Sequence, residues 1–183
     1  MPSPIAWTVY DMTGAPNPSA SPTVLHYITR DQVPLSPPTI NNLGQGVFSI
    51  VPSDSDMATG VLLLIDNGVG TLPRYVGKAV HGGGNPFVMW WLEAADGSLY
   101  AGGGTPVFTL YNDMSGNPVT PQPTISSVVS PYLWQFTPNI SDIIIGVGWQ
   151  IQNPSGSYPA FVSGDSEMVT GGGGGNAFNT RVN

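Results

Sequence analysis

Large apolar side chains alternate with small or polar ones in short runs along this chain, and Gly, Pro, Asn and Asp bound the runs. A two-residue period of that kind predicts strands whose alternate residues face a core. In Val47-Phe48-Ser49-Ile50, Phe48 and Ile50 fall on one face; in Leu133-Trp134-Gln135-Phe136, Trp134 and Phe136 do the same. The pattern predicts strands near 5–10, 23–29, 46–51, 60–66 and 74–80, then near 87–94, 107–111, 132–137, 144–152 and 160–162. Between the third and fourth run of each set, the segments 53–59 and 139–145 carry Ser-Asp ahead of a Gly-led apolar stretch. They predict a helical-turn crossover fixed by Asp56 and Asp142 accepting from nearby backbone N–H groups. The segments 66–70 and 152–156 read as hairpin connections.

The punctuation recurs. Pro22, Tyr27 and Pro34 return 84 positions later as Pro106, Tyr111 and Pro118. Phe48, Pro52, Asp56, Gly60, Ile65, Asn67, Gly70 and Pro73 return 86 positions later as Trp134, Pro138, Asp142, Gly146, Ile151, Asn153, Gly156 and Pro159. A drift of two residues over such a stretch indicates an internal duplication of a whole domain, a unit too long for one solenoid repeat. The expected organisation is a first domain over 1–84, including the hinge His81-Gly82-Gly83-Gly84, a second over 85–169, and a Gly-rich C-terminal arm over 170–183. Each domain has the size of a small β-sandwich.

Composition sharpens this. Only 8% of residues are charged, against about 25% in a typical soluble domain, and 24 glycines and 19 prolines favour turns over long helices. Such a nearly uncharged surface suits a protein held among neighbours in an ordered assembly. The net charge is −7 with four basic residues, which leaves no electrostatic footprint for nucleic acid or an anionic membrane. The longest apolar run, 60–65, is strand-sized, and the first residues lack a signal-peptide pattern. There is no cysteine, hence no disulfide or thiolate metal site.

Candidate chemistry is sparse. His26 and His81 have no counterpart in the other unit and no metal-ligand spacing. No Gly-x-Ser-x-Gly elbow, phosphate-binding loop or dinucleotide fingerprint is present. Asp11, Asp96 and Asp113 lie beside Gly-containing bends, where capping is expected, and a calcium site built from Asp11 or Asp54 with Asp56 has no EF-hand spacing. No enzyme, cofactor or metal is expected. The adjacent Trp90 and Trp91 must point to opposite faces of a strand, so one of them leaves its own core. With Trp149 they are candidate exposed aromatic contacts, for a neighbouring surface or, as an alternative, for sugars. Five consecutive glycines from Gly171 to Gly175 carry too large an ordering entropy to fix themselves. The arm is therefore expected to be ordered by a neighbouring subunit, with Gly171 and Gly175 in its Gly run, Phe178 as an apolar anchor and Arg181 as a polar latch.

The motifs Asp11-Met12-Thr13-Gly14, Gly44-Gln45-Gly46-Val47-Phe48-Ser49-Ile50-Val51-Pro52 and Asp56-Met57-Ala58-Thr59-Gly60-Val61 resemble small Ig-like β-sandwich modules of tailed-bacteriophage virion proteins. The likeness covers 5–80 and 87–168, more weakly around 128–132. It implies an all-β fold of two tandem Ig-like antiparallel sandwiches plus the arm, and carries over no functional residue. Ig-type sandwiches place a tyrosine on the strand after the crossover Asp; neither 61–64 nor 147–150 offers one, so no tyrosine corner is expected. The implied role is non-enzymatic: a virion structural protein made in the host cytoplasm, first a capsid decoration or cement subunit present in multiple copies. Its partners would be major capsid or tail subunits, with no nucleic acid and no membrane. The alternative is a tail- or fibre-associated, or secreted, carbohydrate-binding adhesin module.

Overall fold

A computed structural model describes residues 4–80 and 87–165. The chain is mostly β and divides into two compact units, Met1–Gly84 and Asn85–Asn183. The first unit opens with β1 (Ile5–Thr8) and β2 (Tyr10–Asp11), followed by β3 (Thr23–Thr29), β4 (Asn41–Gly44) and β5 (Val47–Ile50). The short helix α1 (Asp54–Thr59) then leads into β6 (Val61–Asp66), β7 (Thr71–Leu72) and β8 (Tyr75–Val80). The second unit has β9 (Val88–Trp91), β10 (Val107–Asp113), β11 (Ser126–Val129) and β12 (Leu133–Phe136), then α2 (Ile140–Ile145), β13 (Val147–Gln152) and β14 (Phe161–Asp165).

Among the described residues all strand pairing is antiparallel, and each unit contains a β-sandwich-like pair of three-stranded sheets, to which the first adds the two-stranded β2–β7. In the first, β5 lies between β1 and β4, and β6 between β3 and β8. In the second, β12 lies between β9 and β11, and β13 between β10 and β14. The first strand segment of each unit divides its partners. β1 pairs with β5 while β2 pairs with β7, and in the second unit β9 pairs with β12 while Glu93 bridges Tyr158. α1 and α2 each connect one sheet to the other, as the Ser-Asp crossovers led one to expect.

Each core draws on both of its sheets. Trp7, Phe48 and Ile50 from one meet Tyr27, Val61, Leu63 and Ile65 from the other, and Trp7 and Phe48 stack with centroids 6.1 Å apart. In the second unit Trp90, Trp134 and Phe136 meet Tyr111, Trp149, Ile151 and Val162, and Phe136 sits edge-on to Trp149 at 5.1 Å. β6, an unbroken apolar run, is buried on both faces; β13 alternates and leaves Gln150 and Gln152 exposed. Close backbone approach explains two glycines. Gly46, with φ of 75°, would place a Cβ 2.6 Å from the Val9 carbonyl oxygen, and Gly164 would place one 2.5 Å from the Trp149 ring.

Candidate functional site

Two kinds of polar link recur in both units and engage the buried Asn67, Asn153 and Asp142. The first starts from a tryptophan on the opening strand. Trp7 Nε1 donates to Asn67 Oδ1 at 2.9 Å, and Asn67 Nδ2 donates to the Pro73 carbonyl at 2.8 Å. Trp90 Nε1 donates to Asn153 Oδ1 at 3.0 Å, and Asn153 Nδ2 donates to the Pro159 carbonyl at 2.7 Å. Each asparagine also donates its backbone N–H across the same connection, to Arg74 and to Ala160. The indole, the amide and the loop carbonyl form one chain, which ties the opening strand to the loop before the last strand.

The second link joins the crossover aspartates to tyrosines. Tyr27 on β3 donates to Asp56 Oδ2 at 2.8 Å, and Tyr111 on β10 donates to Asp142 Oδ2 at 2.8 Å. Asn139 Nδ2 also donates to Asp142 Oδ2, at 2.9 Å. Burial, reinforced by the neighbouring carboxylate, pushes both phenols well above their ordinary range. The expectation that these aspartates fix the turn through backbone N–H groups is corrected: the α1 N-cap is Ser53, which accepts from the Asp56 N–H, and the carboxylates reach across to a strand. Although β6 and β13 carry no corner tyrosine, β3 and β10 each supply a buried one.

The three acidic bends behave as capping turns. Asp11 accepts from the Thr13 hydroxyl and the Thr13 and Ala15 N–H groups, and these bonds hold its carboxyl below the usual range. Asp113 accepts from the Asn117 and Ser115 N–H groups with the same effect, and Asp96 accepts from Ser98. The carboxylates weighed for calcium are thus apart in use, Asp11 in its own turn and Asp56 on Tyr27. Among the described residues no group of three or more His, Asp or Glu could hold a metal ion. His26 lies half-buried on β3, and burial lowers its pKa. His81, Gly171, Gly175, Phe178 and Arg181 lie outside the described residues.

The expected outward aromatics are not outward. Trp90 is 1% exposed, Trp91 3% and Trp149 6%. Trp90 and Trp149 belong to the second core, and Trp91 points to the other face, where its Nε1 donates to Glu93 Oε1 at 3.0 Å. Adjacency required opposite faces and said nothing of whether either face is open.

What the surface does present is an apolar helix. In α2 only Asp142 is buried, while Ile140, Ile144 and Ile145 are 57%, 79% and 54% exposed. Ile140 and Ile144, four residues apart, share one face. The corresponding positions of α1, 86 residues earlier, are Asp54, Ala58 and Thr59. Three exposed isoleucines thus stand where α1 has polar or small residues. No sequence feature other than the run Ile143-Ile144-Ile145 signalled it, and that run reads equally as the start of a strand.

Compared with known proteins, the chain matches no family model, no curated protein and no solved structure. Among the described residues no helix is long and apolar enough to cross a membrane.

Proposed function

We propose that this chain is a non-enzymatic structural subunit of a tailed-bacteriophage virion, a capsid decoration or cement protein made of two Ig-like sandwiches that arose by duplication. The observation that carries the reading is the recurrence of both buried links. Trp7–Asn67 and Tyr27–Asp56 in one unit have Trp90–Asn153 and Tyr111–Asp142 in the other. Two copies of one scaffold, each with the same pair of polar links holding its strands and loops together, suit a building block. The scarcity of charge and the exposed isoleucines of α2 suit a surface completed by neighbours. Major capsid or tail subunits are the partners of this reading, and the arm over 170–183, with Phe178 as its anchor, is its main contact. The carbohydrate-binding alternative loses its three tryptophans, Trp90, Trp91 and Trp149, which are buried, and keeps the half-exposed Tyr158.

The test is a phage whose gene for this chain lacks codons 170–183. Purified particles are expected to lack the protein while the truncated chain stays folded by circular dichroism. Normal incorporation of the truncated chain overturns the arm's role.

A further inference from the structure

Asn67-Gly68 is the only Asn-Gly pair in the chain, and it lies in the connection between β6 and β7. An asparagine followed by glycine is open to self-modification, because a residue without a side chain lets the backbone nitrogen close on the amide carbon. The Gly68 nitrogen attacks Asn67 Cγ, and the new N–Cγ bond forms as the Cγ–Nδ2 bond breaks. The Gly68 proton leaves with the amide nitrogen as ammonia, and a cyclic succinimide remains. Water then opens that ring at one of its two carbonyls, giving an aspartyl or an isoaspartyl residue at position 67.

The folded first unit holds each participant away from this reaction. Asn67 is 1% exposed, its Oδ1 accepts from Trp7 Nε1 at 2.9 Å and its Nδ2 donates to the Pro73 carbonyl at 2.8 Å. Cyclisation would break both bonds, since Cγ must swing towards the Gly68 nitrogen. That nitrogen is engaged as well, because the Gly68 N–H donates to Asp66 Oδ1 at 2.8 Å. The Asp66 carboxylate also opposes the negative charge that the nitrogen takes on when it gives up its proton. The Asn67 N–H donates to the Arg74 carbonyl at 2.7 Å, which fixes the backbone on the other side. Unfolding releases all of these restraints together.

The second unit carries the comparison. Asn153 makes the same bonds, to Trp90 and to the Pro159 carbonyl, but the next residue is Pro154. A proline nitrogen has no proton to give up, so the same ring cannot close there.

We propose that Asn67-Gly68 is a latent deamidation site, closed while the first unit is folded and open once it unfolds. Modification there keeps the unit from closing again. An aspartyl residue at 67 has no N–H for the Pro73 carbonyl and places a charge where the side chain is buried. An isoaspartyl residue lengthens the connection from β6 to β7 by a backbone carbon. Unfolding of the first unit is therefore reversible at first and becomes irreversible with time spent open. This proposal does not rest on the virion reading.

The experiment holds the full chain at mildly alkaline pH, in buffer and in concentrated guanidinium chloride, and follows it over time by peptide mass spectrometry. Deamidation at Asn67 is expected to run faster in denaturant than in buffer by about tenfold or more, since its rate in buffer follows the open fraction. Asn153 is expected to keep its amide in both. In denaturant, where native strain plays no part, Gly68→Ala is expected to slow the reaction at Asn67. On return to buffer, chains modified at 67 are expected to lack the amide exchange protection of β6 that unmodified chains regain. The Asn67→Asp chain, made directly, is expected to show the same loss. Equal rates at Asn67 in buffer and denaturant, loss of the Asn153 amide as fast as that of Asn67, an unchanged rate in the Gly68→Ala chain, or full β6 protection in modified chains overturns the proposal.

Discussion

Asn153 makes three hydrogen bonds through three different groups: its Oδ1 accepts from Trp90, its Nδ2 donates to Pro159 and its backbone N–H donates to Ala160. Replacing it with alanine strands the buried Trp90 N–H and removes the donor to Pro159. At about 1–3 kcal/mol per unsatisfied buried group, the expected loss for Asn153→Ala is roughly 2–4 kcal/mol, read from urea unfolding. Asn67→Ala is expected to act on the first unit in the same direction. Tyr27→Phe and Tyr111→Phe each remove a hydrogen bond to a carboxylate, worth about 1.5–3 kcal/mol. These phenols also contribute to stability at alkaline pH. Their folded pKa is raised above the unfolded value of about 10, so the folded state holds the proton longer. The stabilisation is complete below pH of about 10 and is lost as pH rises above it towards the folded value. Stability measured from pH 8 upward is expected to fall less steeply above pH 10 in the double Tyr→Phe chain than in the parent. Equal slopes contradict the assignment.

At the scale of elements, the strands that could be read from sequence were those with one or both faces buried. β3, β6 and β8 stand where the alternation or the apolar run placed them, because burial of those side chains decides their register. β4, with Asn41 and Asn42, and β11, a half-exposed edge, were silent, since an edge strand needs no apolar period. The opening run over 5–10 is broken in two because Val9 donates its N–H to Gly46 and the segment then changes partner from β5 to β7. The run 144–152 begins as helix rather than strand. β-branched residues favour a strand, but Asp142, held by Tyr111 and Asn139, anchors a turn of helix through Ile145. The links themselves were only half legible. Tyr27, Asp56 and Asn67 each recur in the second unit, yet recurrence shows that a residue is retained and not which residue it touches. The tight turn between β4 and β5 gives the element-scale test. Gly46→Ala adds a side chain at positive φ against the Val9 carbonyl and is expected to cost about 1–3 kcal/mol. An unchanged urea midpoint refutes that packing.

At the scale of the whole molecule, eleven acidic residues against four basic ones leave a small net repulsion, −7, over a surface poor in charge. That repulsion disappears near the isoelectric point of about 4.2. Self-association measured by sedimentation is therefore expected to rise as pH is lowered from 7 towards that value. The two crossover helices differ in character: α1 is mostly polar, whereas α2 carries the exposed Ile140, Ile144 and Ile145. The most direct test of the proposed virion role is cryo-electron microscopy of intact particles purified from the source that encodes this chain. The expected result is many symmetry-related copies lying against capsid or tail subunits, with the C-terminal arm crossing onto a neighbour. Particles that are complete and infectious without any copy of the chain contradict it.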